Sequence, residues 1–127
     1  MGIDHANGKY IMFCDSDDIV DENWCECMFN TIEKVPDAWV VSNVWRQKKM
    51  TVFVKQINDD LIEQDDLKYF HIYKMGLSAW CWNKSYSHAK INKYNIRFDE
   101  NCFMGEDVLF NLQYFKRCTK GSIPKFV

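Results

Sequence analysis

The chain has 127 residues, 47% of them hydrophobic and 16% aromatic, and a formal net charge of -2. That much apolar material suits one domain over 1–127 with a real core and argues against disorder. A slightly acidic chain without a basic stripe gives no electrostatic case for nucleic acid, and no apolar run approaches the ~20 residues needed to span a bilayer.

The first element is the most informative. Tyr10-Ile11-Met12-Phe13-Cys14 is an unbroken apolar run that stops at Asp15, Asp17 and Asp18. Apolar residues without alternation predict a strand buried on both faces, as in a parallel sheet, and ligands of open α/β sheets gather at the carboxyl ends of such strands. Two residues apart on an extended backbone, Asp15 and Asp17 share a face and suit one hard cation, Mg2+ or Mn2+, with a phosphate completing its shell. Asp15, Asp17 and Glu26 also occupy the first, third and twelfth places of a calcium loop. Ile19 and Val20 stand where an oxygen ligand and the turning Gly belong, which sets that reading aside.

Asp21 is placed to cap a helix with apolar positions Trp24, Cys27, Met28, Ile32 and Val35, ended by Pro36. Ala38 to Trp45 and Met50 to Gln56 read as two strands joined by the charged turn Arg46-Gln47-Lys48-Lys49. A second helix is expected from about Asp65 to Met75, closed by Gly76, and a third from about Glu106 to Cys118 with Val108, Leu112 and Phe115 on its apolar stripe. The six cysteines form no C-x-x-C pair, and several lie in apolar runs. They read as core or half-buried reduced thiols of a cytosolic protein.

Two further groups can carry chemistry. Glu106 and Asp107 open the third helix, where the unpaired N–H groups favour carboxylates for purely structural reasons, yet also hold a general base rigid and ionised. In Ala79-Trp80-Cys81-Trp82-Asn83-Lys84, aromatic faces beside polar groups suit a sugar, although tryptophans are more often core. Lys84 is in reach of a phosphate or acceptor, with a solvated lysine as the plain alternative.

Taken in order, these pieces resemble the family-two glycosyltransferases of the GT-A fold. Gly2, Ala6, Gly8, Tyr10 and Ile11 precede Asp15-Ser16-Asp17-Asp18; Trp82-Asn83-Lys84 matches a Trp-x-Lys element; Glu106-Asp107, followed by Val108, Leu109 and Phe110, matches an acidic pair opening a helix. The resemblance implies an α/β fold, a partial GT-A (Rossmann-like) domain with a mixed sheet flanked by helices. It also implies inverting, metal-dependent transfer of a sugar from a nucleoside-diphosphate-sugar to a hydroxyl acceptor, a saccharide or lipid-linked saccharide, in surface polysaccharide synthesis. By resemblance, Asp15, Asp17 and Asp18 bind the donor diphosphate and Asp17 and Asp15 hold Mn2+ or Mg2+. Asp107 is the catalytic base with Glu106 orienting it or contacting acceptor, and Trp80, Trp82 and Lys84 line the acceptor side. The expected location is cytoplasmic or peripheral at the inner face of the membrane.

One departure stands out. The nucleotide-binding half that comes first in such proteins has no counterpart here, so Met1 is read as internal to a longer protein, the chain as its second half, and activity of the chain alone as doubtful. An exposed sheet edge would then favour self-association. The alternatives are a haloacid dehalogenase-like phosphatase, which also uses Asp-x-Asp after an apolar strand, and a non-catalytic remnant serving as an interaction module.

Overall fold

The apolar run at the start forms a much shorter strand than its length suggests, and the reason lies in its neighbours. The computed structural model describes residues 2–34, 38–42, 45–48, 51–54, 62–63, 79–118 and 120–122. After a short helix α1 (Gly2–His5), strand β1 covers only Tyr10–Met12. Among the described residues it pairs with one strand, β6 (Lys84–Ser87), which runs antiparallel to it. β1 is thus an edge strand in an antiparallel pair rather than a strand within a parallel sheet, with Ile11 buried on one face and Tyr10 and Met12 half-buried on the other.

Strands β2 (Ala38–Val41), β5 (Ile62–Glu63) and β7 (Lys120–Ser122) complete a mixed sheet of order β1-β6-β2-β7-β5. Among the described residues only the β2–β7 pairing is parallel; β6 runs antiparallel to both neighbours, and β5 to β7. The predicted Ala38 to Trp45 strand is split. β2 ends at Val41, and Trp45 begins a separate hairpin of β3 (Trp45–Lys48) and β4 (Thr51–Val54). Trp45 pairs with Val54 and Lys48 with Thr51, so Arg46, Gln47 and Lys48 lie in a strand instead of the turn. The helix expected near Asp65 to Met75, together with Val35 and Pro36, falls outside the described residues.

Alternation along the strands assigns the two faces of the sheet, because successive side chains point to opposite sides. Ile11, Trp39, Val41 and Tyr86 join a core with Phe110 and Tyr114, whereas Val40, with Tyr10 and Met12 against it, joins Trp24, Met28 and Ile32. The second cluster is the work of α2 (Trp24–Lys34), whose buried Trp24, Met28 and Ile32 recur every four residues as predicted. Asp21 begins it: its carboxylate accepts the Asn23 N–H at 2.9 Å and its carbonyl the Trp24 N–H at 3.0 Å.

The other face carries α3 (His88–Lys93), which the sequence reading missed, and α4 (Glu106–Phe115). Ser87 caps α3 by accepting the Lys90 N–H at 3.3 Å. In α4 the buried residues are Phe110, Asn111 and Tyr114; the predicted stripe of Val108, Leu112 and Phe115 is half-buried. The stripe is rotated because aromatic contacts, not aliphatic ones, dominate this layer. Phe110 stacks on Phe98 with centroids 4.3 Å apart, and Tyr86 meets Tyr114 edge-on at 5.0 Å. Of the cysteines, Cys81 and Cys118 are buried, but Cys14 and Cys25 are exposed, against the packed role expected of them.

Candidate active site

Phe13 connects the two acidic groups. Its ring packs edge-on against Tyr86, Phe98 and Phe110, at 5.7, 5.6 and 5.8 Å. Phe13 lies two residues before Asp15, and Phe110 three residues after Asp107, so this contact fastens the end of the first strand to the first turn of α4. Asp15, Asp17 and Asp18 are exposed on the resulting surface, and Asp107 is half-buried.

The acids after β1 do not share a face by strand alternation. The Asp18 N–H donates to the Asp15 carbonyl at 3.1 Å, closing a tight turn over Asp15-Ser16-Asp17-Asp18. Desolvation, followed by the charges of Asp18, Asp17 and Asp107, holds the Asp15 carboxyl above its ordinary value. Asp107 thus acts electrostatically on the turn, although it is far away in sequence. Among the described residues no three His, Cys, Asp or Glu side chains converge as a ready-made metal cage. Crowded oxygen donors still fit a hard cation, since Mg2+ is commonly held by one or two carboxylates with phosphate and water completing its shell.

At the start of α4, Gly105 adopts a left-handed conformation (φ 86°) that turns the chain into the helix. Glu106 is exposed. Asp107 is anchored, its Oδ2 accepting the Cys81 N–H at 3.1 Å. Trp80 and Trp82 flank that amide as a half-buried stacked pair, centroids 5.4 Å apart and planes at 20°. The acidic helix start and the tryptophan pair therefore adjoin, joined through the amide of Cys81.

Lys84 is placed differently from the sequence expectation. It is 0% exposed, so it is not a solvated lysine and presents no free surface to a ligand. Its Nζ donates to the Trp80 carbonyl and, at 2.7 Å, to Asn83 Oδ1. Burial pulls its pKa down to about 7, opposed by the charges of Cys81 and Asp107. Cys81 is no nucleophile either, because burial pushes its thiol up to about 12. The sequence reading overlooked Asn111, fully buried in α4, whose Oδ1 accepts the Tyr86 hydroxyl at 2.6 Å and whose Nδ2 donates to the Ala79 and Trp80 carbonyls, both at 3.2 Å. One clue was available: Asn111 stands between the apolar Phe110 and Leu112 in the helix.

The family model of Glycosyl transferase family 2 matches residues 1–105. The chain belongs to this family. The assignment sets aside the phosphatase alternative. The match stops one residue short of Glu106, so it includes the acidic turn and the tryptophan pair but not the acidic pair of α4. A relative from Bacillus subtilis (strain 168), "Putative glycosyltransferase EpsH", is 29% identical over 102 residues, which is 76% of this chain and 29% of the relative. Among solved structures, S. aureus TarS 1–349 superposes with a TM-score of 0.73 at 19% identity, covering 95% of this chain and 34% of that one. A second S. aureus TarS structure gives 0.73 at 20% identity, covering 95% of this chain and 21% of that one. The family 2 domain thus has the expected partial GT-A fold, and it spans about a third or less of the length of these relatives. No helix among the described residues is long and apolar enough to cross a membrane.

Proposed function

We propose that the chain forms the catalytic half of a glycosyltransferase that moves a sugar from a nucleoside-diphosphate-sugar to a hydroxyl acceptor, with inversion at the anomeric carbon. The observation that carries this reading is the packing of Phe13 on Phe110, which brings the acidic turn to the helix start where the Cys81 N–H anchors Asp107, so that a fixed carboxylate adjoins a cluster suited to a diphosphate-bound cation. Asp17 and Asp15, with Asp18 assisting, would hold Mn2+ or Mg2+ at the donor diphosphate. Such an ion, when bound, supplies Lewis-acid neutralisation of the charge on the leaving nucleoside diphosphate.

In this scheme Asp107 takes the proton of the acceptor hydroxyl as its oxygen attacks the anomeric carbon and the bond to the diphosphate breaks. The Cys81 N–H fixes one carboxylate oxygen, leaving Oδ1 to face the acceptor. The Trp80–Trp82 pair offers a partly exposed aromatic surface for a sugar ring. Glu106, exposed beside the base, orients it or contacts acceptor. The acceptor is a saccharide or lipid-linked saccharide of surface polysaccharide synthesis, and the location is cytoplasmic or at the inner face of the membrane.

Calorimetry with UDP and GDP in the presence of Mn2+, on the chain extended upstream to a full catalytic domain, tests the donor side. Binding that needs Mn2+ and weakens at least tenfold in Asp17→Asn is the expected result. The base is tested separately, since Asp107→Asn should retain nucleotide binding and lose transfer. Equal nucleotide affinity with and without Mn2+, or normal transfer by Asp107→Asn, would remove the roles assigned here.

A further inference from the structure

A single peptide group joins the tryptophan pair to Asp107. The carbonyl of Trp80 and the N–H of Cys81 belong to one planar unit, so fixing the direction of the oxygen fixes that of the hydrogen. Both ends are held. The Trp80 oxygen accepts from Lys84 Nζ on β6 and from Asn111 Nδ2 on α4, while the Cys81 N–H donates to Asp107 Oδ2. Each gripping side chain is in turn braced: Lys84 also donates to Asn83 Oδ1, whose Nδ2 donates to the Ser42 carbonyl at 3.3 Å, and Asn111 accepts the Tyr86 hydroxyl.

Lys84, Asn83 and Asn111 are all essentially without exposed surface. Burying an amine is costly, and an apolar side chain of similar size fills space without that penalty. The cost is understandable when one backbone orientation has to be selected. Without its two donors the Trp80 carbonyl would turn toward solvent, rotating the Cys81 N–H off the carboxylate and separating the two rings.

We propose that Lys84 and Asn111 are positioning residues that clamp the Trp80–Cys81 peptide, and thereby hold the Asp107 carboxylate and the Trp80–Trp82 pair in one register. This rests on the transferase reading for its purpose, but the clamp itself is a structural statement. Lys84 acts through the Trp80 carbonyl and does not touch acceptor.

The test is Lys84→Met in this chain, with a cooperative urea transition to establish folding, amide hydrogen exchange at Cys81, and the far-UV exciton couplet of the stacked tryptophans in circular dichroism. The expected result is a folded variant whose Cys81 amide exchanges at least tenfold faster relative to the Tyr86 amide, with a weakened tryptophan couplet. Unchanged protection and couplet in a folded Lys84→Met protein would overturn the proposal. Should that variant not fold, Asn111→Asp decides in the same way, because it keeps the oxygen facing Tyr86 and removes the donor to Ala79 and Trp80. None of these readings uses turnover. Loss of protection together with normal transfer by Asp107→Asn would therefore uphold the clamp while overturning the transferase role of Asp107.

Discussion

Lys84 gives the stability of this domain a specific pH dependence. Its pKa in the folded chain, about 7, lies below the ordinary 10.5. Between those values the unfolded chain carries a proton that the folded chain has lost, so stability rises with pH, by at most about 1.4 kcal/mol per pH unit. Below the lower value both forms are protonated and the burial penalty is felt in full. Cys81 acts in the opposite sense from about pH 9, since its thiol is raised from 9.0 to about 12 and the unfolded chain then loses a proton that the folded chain keeps. The clean interval is therefore pH 7 to 9. Urea titrations across it should show the midpoint rising for the natural chain and staying nearly level for Lys84→Met. A parallel rise in both would mean that another group titrates.

At the scale of elements, Gly105 decides how α4 meets the acidic turn. Its φ of 86° lies in the left-handed region, and a Cβ built there meets nothing within 4 Å, so substitution tests backbone strain alone. Gly105→Ala should cost ~1–2 kcal/mol in denaturant unfolding. A loss within error would mean that the entry to α4 relaxes freely. The same element shows where sequence pattern was informative. Glu106 and Asp107 are readable as a helix start because their chemistry is local, and α2 is readable from the repeat of Trp24, Met28 and Ile32. Asp15 and Asp17 are readable as neighbours in sequence, but their geometry is not: an apolar run does not reveal where pairing with β6 stops, and beyond β1 the chain turns over Asp15 to Asp18 instead of extending. The strand boundary near Trp45 was missed for a related reason, as Val, Trp and Phe favour strands without saying which sheet they join. Burial of Lys84 was out of reach, because only its long-range surroundings distinguish it from a solvated lysine.

For the whole molecule, the order β1-β6-β2-β7-β5 leaves β1 at an edge, paired on one side only among the described residues. Strand edges present unpaired N–H and C=O groups that template further pairing unless they are charged, bulged or covered. β1 carries Tyr10, Ile11 and Met12, with no charged residue of its own to discourage a partner. Apolar side chains add to this tendency: Ile19, Phe103 and Met104 are more than 90% exposed. Against it stands the strand's length, since three residues supply few hydrogen bonds and pairing through them is weak. The balance predicts reversible association of this chain that grows with concentration. Sedimentation velocity over a hundredfold concentration range should show the mean sedimentation coefficient rising, and Met12→Lys, which adds a charge to the edge, should suppress the rise. A constant monomer value at the highest concentration would show that this edge does not recruit another copy. Association unchanged by Met12→Lys would instead move the contact to the apolar residues of the loops.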